Sequence, residues 1–77
     1  MTQIKLRNLS HREQQVANLL LSGAANSEIA SELCMSIRTV KAYMHRLFCL
    51  YQIEKGGVRR VRLAVLIYRE QQEHDGL

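Results

Sequence analysis

The sequence of 77 residues contains no proline, no tryptophan, one phenylalanine and two cysteines. Cys34 and Cys49 are too few for a disulfide scaffold and lack metal-ligand spacing, which points to a reduced intracellular protein with no bound metal. Long apolar runs are missing as well. The longest near the C-terminus, Leu63 to Tyr68, is far short of a membrane span, and MTQIKLRNLS at the start has no leader-like core, so a soluble cytoplasmic protein is expected. No Ser/His/Asp or Cys/His arrangement, paired carboxylate site or phosphate-cradling glycine loop is visible. A chain this short also leaves little room to enclose a pocket of ordinary size. The expectation is therefore no enzyme and no cofactor. Length bounds the molecule to one domain, residues 1 to 77, and excludes a second catalytic one.

What is present suits helices. Hydrophobic residues make up 47% and aromatics only 5%, a balance that fits a helical bundle built from Leu, Val, Ile and Ala. Ser10 can cap a first helix over about 10–22, with Glu13 three residues on closing a capping box. Val16, Leu19 and Leu20 form its apolar face, and Gly23 can take the left-handed conformation that ends it. Asn26 or Ser27 then caps a second helix, about 26–33, in which Ile29, Ala30 and Leu33 recur at helical spacing. Ser36 is placed to cap a third, about 37–51, on which Val40, Met44, Leu47, Phe48 and Tyr51 form one buried stripe. Gln52 to Gly57 reads as a loop before a fourth helix, about 58–73. The fold class is all-α, a four-helix arrangement with a three-helix core.

Residues 26 to 47 carry the functional signal, because a short helix, a tight turn and a second helix outline a helix-turn-helix that could lie in a DNA groove. Opposite the buried stripe of the third helix gather Arg38, Lys41, Ala42, His45, Cys49 and Gln52, with no Asp or Glu among them. Charge is unevenly spread. Residues 1 to 37 are neutral, residues 38 to 69 carry eight basic groups against Glu54 alone, a net +7, and the tail is acidic. That is the footprint of a polyanion binder. Arg38, Lys41, His45 and Arg46 are expected to be free of acidic neighbours. His11 and His74 read as solvated, Cys49 as a passive small residue, and Tyr43 and Tyr51 as packing residues whose hydroxyls reach solvent or phosphate.

The fourth helix is apolar on two sides. Leu63, Leu66 and Ile67 form one face, while Val61, Ala64, Val65 and Tyr68 form the other, and only one can meet a three-helix core. The second face points to a homodimer; the bland alternative is that the first helix and the N-terminal Ile4, Leu6 and Leu9 wrap it.

These spacings resemble the C-terminal DNA-binding domain of LuxR-type, also called NarL/FixJ-type, bacterial transcription regulators. The resemblance rests on Leu9-Ser10-His11-Arg12-Glu13, on Gly23-Ala24-Ala25-Asn26-Ser27-Glu28-Ile29-Ala30, and on Leu33-Cys34-Met35-Ser36-Ile37-Arg38-Thr39-Val40-Lys41. It covers about residues 9 to 50 strongly. It implies that the third helix enters the major groove and the fourth pairs two subunits. It further implies that Lys41, Ala42 and His45 meet bases, and that Ser36, Arg38, Thr39 and the start of the second helix, with Asn26, meet phosphates. Arg46 joins this set from its place on the third helix. Glu13 and Glu28 more often support the family's fold. This chain departs from the family at Leu50-Tyr51-Gln52-Ile53, where Lys-Leu-Gly-Val is common, and in a longer loop from Glu54 to Arg59.

The leading functional expectation is a sequence-specific regulator that binds double-stranded DNA as a homodimer on an inverted repeat, with RNA polymerase or another regulator as a further partner. The rival is an interaction protein that captures a full-length regulator through the fourth helix without productive DNA binding. Because Met1 lies close to the first helix, no receiver or ligand-binding module is expected in this chain; whether the chain is a whole protein or an excised piece of a larger regulator is left open.

Overall fold

The computed structural model describes residues 9–75, with side chains to residue 72. Four helices and no strand occur among the described residues: α1 (His11–Leu21), α2 (Asn26–Leu33), α3 (Ile37–Leu50) and α4 (Arg59–Asp75). The all-α, four-helix reading is thus the observed architecture.

Each start has an identifiable cause. Ser10 Oγ accepts the Glu13 amide at 3.2 Å while Glu13 Oε1 accepts the Ser10 amide at 2.9 Å, the reciprocal box read from the sequence. Ser36 Oγ accepts the Thr39 amide at 3.1 Å and lies 3.0 Å from the Thr39 hydroxyl. The second helix differs from expectation: its N-cap is Ala25, not Asn26 or Ser27. Alanine offers no acceptor, so only half of a box forms, with Glu28 Oε1 reaching back 2.7 Å to the Ala25 amide. Asn26 sits one residue inside the helix, and its side chain is free for another task.

The ends of α1, α2 and α3 share one geometry. In each, one amide bonds back five residues and the preceding amide three: Ala24 to Leu19 O and Gly23 to Leu20 O; Met35 to Ala30 O and Cys34 to Ser31 O; Ile53 to Phe48 O and Gln52 to Cys49 O. This double bond pattern needs a left-handed residue at its pivot. Gly23 (φ 91) was anticipated there; Cys34 (φ 55) and Gln52 (φ 57) were not, since neither residue type advertises the conformation.

The core is one cluster. Val16, Ala17 and Leu20 of α1, Ile29 and Ala30 of α2, Val40, Met44, Leu47 and Phe48 of α3, Tyr51 after it, and Leu63 and Ile67 of α4 are buried together with Leu9. The helix-turn-helix pair packs α2 on α3, and α4 lies against α1 and α3. Of α4's two apolar faces, Leu63 and Ile67 go inward, whereas Val61, Val65 and Tyr68 are 63%, 43% and 56% exposed and Ala64 is half-buried. Leu9 enters the core, but Ile4 and Leu6, the other proposed wrappers of α4, lie outside the described residues.

Candidate nucleic-acid interface

The capped start of α3 and its buried stripe fix which way the helix faces. With Val40, Met44 and Leu47 inward, Arg38, Thr39, Lys41, Ala42, His45 and Arg46 are all exposed, as is Ser36 at the cap. His45 Nε2 lies 3.6 Å from Cys49 Sγ one turn on, so imidazole and thiol share one exposed edge.

Two of the expected contact residues are bonded to side chains of other helices. Arg46 does have an acidic neighbour, contrary to expectation: its Nε donates to Glu13 Oε2 at 2.6 Å. The two side chains differ sharply in exposure, 65% for Arg46 and 5% for Glu13. Glu13 is 33 positions away in sequence and meets Arg46 only because α1 packs on α3. The Ser10 amide, followed by the Arg46 guanidinium, holds the Glu13 carboxyl below the usual carboxylate range against the opposing effect of burial. Asn26 is half-buried, and its Oδ1 accepts from Arg60 Nη1 at 2.8 Å while Arg60 Nη2 donates to Ala24 O at 2.8 Å. The start of α4 is thereby pinned to the start of α2. Tyr51 also corrects its reading: its hydroxyl donates to Glu70 Oε1 at 2.7 Å rather than reaching outward, and the ring is buried.

Helix α3, running from a capped, basic start along an outward face of Lys41, Ala42 and His45, is the second member of a helix-turn-helix. A family model described as bacterial regulatory proteins, luxR family, matches residues 7–49, more than half of the chain. The chain belongs to the luxR family. This is a family of regulators, not of enzymes, and its helix-turn-helix is a DNA-binding, transcription-regulating module. A relative from Cyanophora paradoxa named "Probable transcriptional regulator ycf29" is 49% identical over 41 residues, which is 53% of this chain and 20% of the relative. The "CsgBAC operon transcriptional regulatory protein" of Escherichia coli (strain K12) is 48% identical over 40 residues, 52% of this chain and 18% of its own length. A Salmonella typhimurium relative named "Probable csgAB operon transcriptional regulatory protein" matches to the same extent. The chain spans about a fifth of the length of these curated relatives. No solved structure matches it significantly.

Within the luxR-family segment lie Asn26, Ser36, Arg38, Thr39, Lys41, Ala42, His45 and Arg46. Beyond it, sequence reasoning missed that the α3–α4 loop returns Arg59 and Arg60 to the flank of α3. The Arg59 guanidinium carbon sits 4.3 Å from the centroid of the Phe48 ring. A pair of arginines after Gly56-Gly57 is visible in the sequence, but its address on α3 depends on how α4 packs. Among the described residues no helix is long and apolar enough to cross a membrane, and no three His, Cys, Asp or Glu side chains are grouped so as to hold a metal ion.

Proposed function

We propose that this domain binds double-stranded DNA sequence-specifically as a homodimer, with α3 in the major groove of each half of an inverted repeat. The observation that carries the reading is the outward face of α3, where cationic and small side chains stand exposed on a rigid, capped helix that contains no Asp or Glu of its own, the Glu13 carboxylate of α1 reaching it only at Arg46. Lys41 donates to guanine O6 or N7, His45 donates or accepts according to its tautomer, and Ala42 packs against a thymine methyl. Ser36, Arg38 and Thr39 hold phosphates at the start of the helix, with Arg46 adding its two terminal nitrogens beside the Glu13 contact. Asn26, engaged by Arg60, acts at the phosphate side of α2.

The exposed α4 face of Val61, Val65 and Tyr68, with Ala64 half-buried at its edge, supports pairing of two copies. Two-fold symmetry would set their recognition helices about 34 Å apart, one turn of duplex. On this reading the dimer works in the bacterial cytoplasm and acts on transcription through RNA polymerase or a second regulator. Selection of bound sites from random duplex, followed by gel-shift titration, tests it. Lys41→Ala should reduce the preference for the selected site over random duplex by roughly tenfold, and Arg38→Ala should weaken binding to both. Full retention of specific binding in both variants would remove α3 from the groove. Capture of a partner regulator without duplex binding would favour the interaction-protein reading instead.

A further inference from the structure

The first turn of α4 contains Arg59, Arg60 and Arg62 and no acidic residue. A helix start is the positive end of the macrodipole, so cations there are electrostatically misplaced unless an anion joins them. These arginines do not point at random. Arg60 is fixed by its two 2.8 Å bonds to Asn26 and Ala24, and Arg59 is laid on the Phe48 ring of α3. Both line an open cleft of about 390 Å³ that Lys41 and His45 of α3 also line. No carboxylate lines the cleft, and among the described residues none pairs with Arg59.

We propose that this cleft is a clamp for a DNA backbone phosphate, with Arg59 as the residue that meets it. The proposal rests on the DNA-binding reading and extends it past the helix-turn-helix, to residues outside the matched family segment. The chemistry is that of an oxyanion received by the Arg59 guanidinium of α4, in a cleft that α3 lines with Lys41 and His45, the residues read above as meeting bases. A phosphate bordering the base pairs read by α3 is the anion brought to that edge. Stacking on Phe48 holds the Arg59 guanidinium before the duplex arrives, so little ordering is left to be done on binding. The clamp adds affinity and orientation without reading sequence.

The test compares the 77-residue wild type with Arg59→Met, which keeps an apolar stem over Phe48, and with Arg59→Lys, which keeps the charge. Binding to the selected duplex and to random duplex is titrated over a range of salt. Arg59→Met should lower affinity for both duplexes by a similar factor, roughly two- to tenfold. It should also reduce the salt dependence, log K against log salt, by about 0.9 per protomer, and Arg59→Lys should retain most of it. Single neutral methylphosphonates are then scanned along the flank of the half-site; one position should weaken wild-type binding and leave Arg59→Met unaffected. A thermal melt confirms that the variants fold, and Arg59→Gln replaces Arg59→Met if that variant does not. An unchanged salt slope, or a methylphosphonate profile identical in wild type and variant, overturns the clamp while the groove reading stands. Failure of the wild type to bind any duplex overturns both.

Discussion

Glu13 shows how one residue can serve local and tertiary structure at once. One carboxylate oxygen closes the α1 capping box through the Ser10 amide and the other receives Arg46 from α3. Only the first role is written locally, as Ser10 and Glu13 at capping-box spacing. The second needed α1 and α3 to be packed, which is why Arg46 reads as unpaired in the sequence. Because the folded state lowers the Glu13 pKa, its stabilisation is fully present above the unfolded carboxyl's titration, about pH 5 and higher, and fades as pH falls through the lowered folded value. Glu13→Gln should therefore cost roughly 1–3 kcal/mol at neutral pH, and the deficit should shrink in acid, where the wild type loses its own charge. Thermal melts of both proteins at pH 7 and near pH 3 check this; an equal deficit at both pH values would show that the carboxylate charge contributes nothing.

At the level of elements, three helices end on the same left-handed pivot, yet only one pivot is glycine. Gly23 was legible because glycine adopts positive φ at no steric cost. Cys34 and Gln52 were not, since they take φ 55 and φ 57 within a backbone bond pattern that neither side chain marks. Opposite outcomes follow from the same physics. Gly23→Ala should destabilise by roughly 1 kcal/mol, although a Cβ there meets nothing within 4 Å. Cys34→Gly should stabilise by about 0.5 kcal/mol, the relief of left-handed strain less glycine's greater entropy when unfolded. Denaturant midpoints measured side by side would decide, and equal signs for the two changes would contradict the shared-pivot account. Element starts were more readable than ends because Ser10 and Ser36 act within three residues of themselves. Ala25 is the exception: it has no side-chain acceptor, so nothing local marked it as the cap.

For the whole molecule, the decisive question is what covers the outer side of α4. Burial of Leu63 and Ile67 against the core leaves Val61, Val65 and Tyr68 exposed in the single chain. Val65→Glu should fold normally, because Val65 is 43% exposed, and should convert a dimer to monomers by light scattering. Binding to a duplex with two half-sites should weaken roughly tenfold or more as the linked second contact is lost, while a single half-site is bound as before. A wild type that stays monomeric at high concentration would overturn the reading of that face as a dimer interface.

The sequence by itself determined the four helices, the buried stripe of each, two of the caps and the cationic outer face of α3. These depend on periodicity and on contacts within a single turn, which a linear chain displays directly. The tertiary structure alone decided that Arg46 is tied to Glu13, that Arg60 occupies Asn26, that Tyr51 bonds Glu70, and that Arg59 lies on Phe48 in one cleft with Lys41 and His45. Each of those contacts joins residues that are separated in sequence and become neighbours only when apolar stripes from different helices are buried together. No local spacing encodes such a meeting.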